Sequence, residues 1–200
     1  MQVIKIYPSG FASNCYILTE DGKTGIAIDP AQPRILQIAK KRGIQIEYAI
    51  LTHGHFDHIG GCAALAGAGA KIGCSKREEA LVKSKDNLAE IHGGAVPPFS
   101  VDFTFGDGET LSLCGMQIKV IATPGHTAGG VCYLIDGSLF TGDTLFCGSV
   151  GRTDLPTGSA QELIKSVKKL YALAGDHPVY AGHGEDTSLE YERKYNAFVR

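Results

Sequence analysis

Three things are missing from this chain of 200 residues, and each absence closes a class of function. No apolar stretch reaches the ~20 residues that a membrane-spanning helix needs. No block of like charges occurs, and the net charge is only −2. The longest basic run, Lys40-Lys41-Arg42, falls where cations suit the end of a helix, so nucleic acid has no electrostatic footprint here. The opening Met1-Gln2-Val3-Ile4-Lys5 reads as a strand and lacks the apolar core of an export signal. A cytoplasmic protein is therefore expected. Its six cysteines (Cys15, Cys62, Cys74, Cys114, Cys132, Cys147) are expected to be free thiols packed as small hydrophobes rather than disulfides. Cys147 follows Asp143 closely and is expected to be structural. With 44% hydrophobic and 20% charged residues, residues 1–200 fit one domain with a real core.

What the chain does have is Thr52-His53-Gly54-His55-Phe56-Asp57-His58, directly after the strand-like Tyr48 to Thr52 and before the helix-like Ile59 to Leu65. Side chains alternate in an extended segment, so His53 and His55 can grip one ion from the same side. Asp57 and His58 are consecutive and fall where the backbone bends, so they can grip a second. Imidazole with carboxylate suits zinc, iron or manganese, and the absence of cysteine argues against a closed thiolate site.

Further donors end other apolar runs. His126 follows Met116 to Ile121, Asp143 follows Leu139-Phe140, and His183 follows Pro178-Val179-Tyr180, each with glycine beside it. The remaining elements alternate. Strands are expected at Val3 to Tyr7, Cys15 to Leu18, Gly25 to Ile28 and Lys71 to Ser75, and helices at Pro33 to Arg42 and Lys76 to Glu90. The second half repeats this: strands at Leu111 to Leu113, Gln117 to Ile121, Val131 to Ile135 and Ser138 to Thr141. A glycine-rich loop to Gly158 comes next, then a helix from Ser159, with Glu162 completing a capping box, to about Ala174. His177-Pro178 starts the last strand, and Thr187 to Arg200 is the last helix. Asp21-Gly22 and Asp136-Gly137 are hairpin signals. His92 to Ser100 is a loop, lid or plain connector, and His92 is not counted as a ligand.

The set His53-X-His55-X-Asp57-His58, His126, Asp143 and His183, with Asp29 in Ile28-Asp29-Pro30, resembles the metallo-β-lactamase superfamily. Residues Phe146 to Gly158, and Gly182-His183-Gly184 with Thr187, Glu192, Arg193 and Asn196, are similar to its short bacterial glyoxalase II-like hydrolases. Ala128-Gly129-Gly130 departs from the usual Pro-Gly-Ser, and Glu185 from the usual proline.

The resemblance implies an α/β fold, a four-layer αβ/βα sandwich of two mixed sheets with helices outside, without the C-terminal helical domain that holds glutathione in full-length relatives. It assigns one metal to His53, His55 and His126 and another to Asp57, His58 and His183, with Asp143 bridging. Asp29 and Thr52 would orient ligands. Asp57 would serve first as a ligand and second as a proton relay. Two divalent ions are implied, zinc first, iron or manganese otherwise, with a hydroxide between them as nucleophile. The implied reaction is hydrolysis of a small-molecule thioester such as S-lactoylglutathione. Arg152 could pair with a substrate carboxylate, although a loop-tying pair with Asp154 is favoured. The alternative within the same fold is a persulfide dioxygenase, with one iron held by His53, His126 and Asp143.

Overall fold

The computed structural model describes residues 1–199. Its first half runs β1 (Gln2–Ile6), β2 (Cys15–Thr19), β3 (Thr24–Ile28), α1 (Arg34–Lys41), β4 (Gln45–Ile50), α2 (Phe56–Ile59), α3 (Cys62–Gly67), β5 (Lys71–Ser75), α4 (Glu79–Val82) and β6 (Phe103–Phe105). The second half runs β7 (Thr110–Leu113), β8 (Met116–Ala122), β9 (Val131–Ile135), β10 (Ser138–Gly142), β11 (Leu145–Phe146), β12 (Ser149–Val150), α5 (Ala160–Tyr171), β13 (Pro178–Ala181), β14 (Thr187–Ser188) and α6 (Leu189–Tyr195).

Strands β1 to β6 form one six-stranded sheet in that order, and a second has the order β14-β13-β10-β9-β8-β7. Both are mixed. In the first, β1, β2 and β3 are antiparallel while β3 to β6 are parallel. In the second, only the β10–β13 pair is parallel. Alternation along each strand divides the side chains between two cores. Tyr16, Leu18, Ile26 and Ile28 of the first sheet meet Ile118, Val120 and Tyr133 of the second. On the outer face of the first sheet, Ile17, Ala27 and Ala49 pack against Ile35 of α1 and Leu65 of α3. Outside the second, Cys132 and Leu139 pack against Val167 and Leu170 of α5 and Leu189 of α6. This is the expected four-layer sandwich. All six cysteines are free thiols, and no helix among the described residues is long and apolar enough to cross a membrane.

The hairpin at Asp136-Gly137 forms with φ of 46° and 74°, the two positive values that a tight primed turn requires. Ser159 caps α5 by accepting the Glu162 N–H at 3.4 Å. Two helical expectations are corrected. Residues 76–90 do not form one helix. Helix α4 is a single turn, and Ser84 then accepts the Asp86 N–H to start a separate 3₁₀ turn, which Leu88 ends at φ 71°. The expected helix from Thr187 begins with a two-residue strand, and α6 starts only after the Ser188 cap.

Candidate metal centre

All seven donor candidates gather at one end of the sandwich. His53 and His55 leave the end of β4, and Asp57 and His58 sit on the helical turn α2, so the second pair points from a helix rather than from the bend expected before it. From the second sheet come His126 after β8, Asp143 after β10 and His183 after β13. Three trios bring their donor atoms within 4.8 Å of one another: first His53 with His55 and His126, second Asp57 with His58 and His183, and third Asp29 with His53 and His58. In the first, His55 Nδ1 faces His126 Nε2 at 2.9 Å. In the second, His183 Nε2 lies 3.1 Å from Asp57 Oδ2. Asp143 stands between them. Its Oδ2 is 3.5 Å from His126 Nε2 and 3.6 Å from His183 Nε2, and its Oδ1 is 3.3 Å from His58 Nε2.

A second set of contacts fixes which ring nitrogen faces the centre. Thr52 donates its hydroxyl to Asp29 Oδ2 at 2.6 Å, and its N–H to Oδ1 at 2.7 Å. The hydroxyl oxygen is then free to accept from His53 Nδ1 at 3.1 Å. His58 Nδ1 donates to Asp29 Oδ2 at 2.9 Å. His126 Nδ1 donates to the Arg152 carbonyl at 2.7 Å. Each Nδ1 of His53, His58 and His126 is thereby occupied and each Nε2 is turned inward, as metal-ligating histidines require. Thr52 and Asp29 thus contact the rings of His53 and His58. Arg152 forms the bidentate pair with Asp154, both bonds at 2.7 Å, and its backbone oxygen, which no sequence pattern marks, holds His126.

Charge divides the first two trios. Burial and the neighbouring imidazoles of His58 and His126 hold His53 well below the ordinary histidine range. Burial, with His126 and His58, brings His55 down to about 3. Burial would also lower His58, but Asp143, Asp57 and Asp29 outweigh it and hold that ring well above the ordinary range. Burial would raise Asp143 and Asp57. His58, His126 and His183 hold Asp143 well below the usual carboxylate range, and His58 and His183 lower Asp57. In the metal-free chain, protonated His58 offsets the carboxylates.

Five buried side-chain atoms among the described residues have no hydrogen-bond partner: Nε2 of His53, His55 and His58, Asp143 Oδ1, and Thr127 Oγ1. Buried polar atoms are rarely left unpaired. Three of these, Nε2 of His53 and His58 and Asp143 Oδ1, belong to the gathered donor residues, and nitrogen with oxygen there fits divalent cations. Gly182 lets the centre close, because a Cβ there would overlap Asp143 Oδ1 and come within 2.7 Å of His58 Cε1.

Above the donors lies a cavity of about 620 Å³, floored by His55, Asp57, His126, Asp143 and His183. Its walls include Phe11, Phe56, Leu88, His92, Phe146 and Leu155. His92 is in no trio and stacks on Phe56 at 4.8 Å. Cys147 is exposed.

Comparison with known proteins agrees with this geometry. The family model described as the metallo-beta-lactamase superfamily matches residues 8–190. The chain is 34% identical to "Hydroxyacylglutathione hydrolase GloC" of Haemophilus influenzae, over 98% of this chain and 97% of that protein. Among solved structures, TTHA1623 in a di-iron-bound form is 32% identical, with a TM-score of 0.86 and 100% of both chains covered. BLEG-1 B3 metallo-beta-lactamase superposes with a TM-score of 0.93 at 27% identity, over 99% of each chain.

Proposed function

We propose that this chain, which belongs to the metallo-β-lactamase superfamily, is a metal-dependent hydrolase of acyl thioesters with S-lactoylglutathione as its reference substrate. The observation that carries the reading is the set of buried, partnerless donor atoms on His53, His58 and Asp143 beside the His55–His126 pair. They would hold two divalent ions, one on His53, His55 and His126, the other on Asp57, His58 and His183, with Asp143 shared. Zinc is the first candidate for both; the di-iron form of TTHA1623 supports iron as the alternative. When bound, such a pair supplies water that ionises near neutral pH and polarises a carbonyl oxygen.

The residues of the chain do the rest. Asp143 sets the separation of the two trios. Asp29, Thr52 and the Arg152 carbonyl keep the imidazoles in the right tautomer. Phe56, Phe146 and Leu155 keep bulk water from the carbonyl. Asp57, with its carboxylate at the cavity floor, serves first as a donor to the second ion; its Oδ2 is also the atom able to hold the proton that ends on the leaving thiol. Water adds across the C–S bond, giving a carboxylic acid and a thiol. The name of the Haemophilus relative supports a thioester of this type, and a small molecule is the partner that the cavity suits.

The test is to incubate metal-loaded protein with S-lactoylglutathione, follow thioester loss and count metal in the same sample. Rapid loss with two ions per chain supports the reading. Two ions without loss would send the search to other thioesters, to lactones or to β-lactams. One iron per chain with oxygen uptake would replace it with the dioxygenase. His55→Ala and Asp143→Ala are expected to lower metal content and activity together, and unchanged turnover in either defeats the assignment.

A further inference from the structure

Glu78 lies in Lys76-Arg77-Glu78-Glu79, a run that reads as a solvated helix face, yet it is only 1% exposed. A buried carboxyl is costly unless its oxygens are paired, so its partners indicate its role. Oε1 accepts the N–H of Gly54 at 3.2 Å, the residue between His53 and His55. On the other side the carboxyl packs against Gly129, three positions after His126, close enough that a Cβ there would overlap Oε2. Burial pushes the acid up to about 7 even against the Gly54 N–H.

The fit is close on both sides. A Cβ on Gly54 would come within 3.0 Å of Val82 in α4, the turn that Glu78 precedes. One carboxyl therefore touches both segments that carry the first trio, and those segments belong to different sheets. A backbone bond from Val131 N–H to the Thr52 carbonyl at 2.9 Å joins the same segments farther from the centre. Losing Glu78 would thus loosen the loops without parting the sheets. The second trio has no contact with Glu78; Asp29 orients its His58 instead.

We propose that Glu78 is a positioning residue that sets the spacing between the His53–His55 turn and the His126 loop, and so fixes the affinity of that trio for metal. This rests on the two-ion reading above. The experiment compares wild type, Glu78→Ala and Glu78→Gln, using zinc and cobalt(II) as probes. Outer partners of metal sites commonly contribute about 10–100-fold in affinity, and here the loss is expected for one ion only. Dialysis against a chelator that leaves two ions on the wild type should leave one on the Ala variant. The Gln variant, which keeps an oxygen for Gly54, should fall between. In the cobalt protein, the shifted imidazole resonances of His53, His55 and His126 should move while those of His58 and His183 stay.

Retention of both ions at wild-type affinity would overturn the proposal. So would equal weakening of both ions together with a lower melting temperature of the metal-free variant, which is the behaviour of ordinary packing. A wild type that binds no pair of ions would defeat the two-ion reading itself, and that result is read before any substitution is made.

Discussion

Asp29, grouped with His53 and His58, is the residue on which the centre hangs. Its φ of 49° is uncommon for a residue with a side chain and costs about 1–3 kcal/mol. In return its carboxylate reaches Thr52 N–H, Thr52 hydroxyl and His58 Nδ1 at once. Asp29→Ala removes all three contacts and leaves the buried Thr52 groups unpaired, although His58 still faces Asp143 and Asp57, so a loss of about 1–3 kcal/mol in urea unfolding is expected for the metal-free chain. A change under 1 kcal/mol would show that Asp29 is a mere turn residue. The opposed imidazoles give a second check. In metal-free protein, the His55 ring resonances should keep their neutral positions until pH falls to about 3, while His58 should still be protonated at neutral pH. Metal at the second trio must displace that proton, so its uptake should strengthen as pH rises through the elevated His58 value. A His55 midpoint near 6.5 would contradict the burial argument.

Among the elements, α5 and the β13 end separate stability from chemistry. Ser159→Ala removes a helix cap and should cost about 1 kcal/mol while metal content stays at wild type. Gly182→Ala should do the reverse in emphasis, because its Cβ meets Asp143 and His58 directly. Metal content should fall more than the melting temperature of the metal-free chain; full metal loading of this variant would sink that expectation. The same contrast explains what the sequence discloses. Most of the histidines and aspartates were legible because they follow apolar strands, with Asp57 and His58 on the helical turn just after, and strand ends bring donors together without any further knowledge of packing. Asp136-Gly137 and Ser159 were legible because turns and caps are local chemistry. Strand β6 escaped notice because Phe103–Phe105 is too short to show alternation. The polar run over 76–90 suggested one helix, whereas Ser84 and Leu88 break it by local geometry. Glu78 and the Arg152 carbonyl stayed hidden because their partners lie 24 and 26 positions away, and nothing in a composition signals a tertiary contact.

At the scale of the molecule, metal should act as a stabiliser of the whole fold. Ligand held at a thousand times its dissociation constant adds about 4 kcal/mol by mass action. Chelation should therefore lower the melting temperature by several degrees, and a curve unmoved by a chelator that strips both ions would show that the centre is detached from the fold. The strand order makes the coupling specific. Every strand of the first sheet ends by Phe105, and every strand of the second begins at or after Thr110. His53, His55, Asp57 and His58 therefore come from one half of the chain, and His126, Asp143 and His183 from the other. Neither half holds all of His53, His55 and His126, nor all of Asp57, His58 and His183. The two proposed ions would be rivets through a seam, each driven through both plates. A chain nicked between Phe105 and Thr110 would be two fragments with broken hands of donors, and the concentration of free metal would govern whether they rejoin.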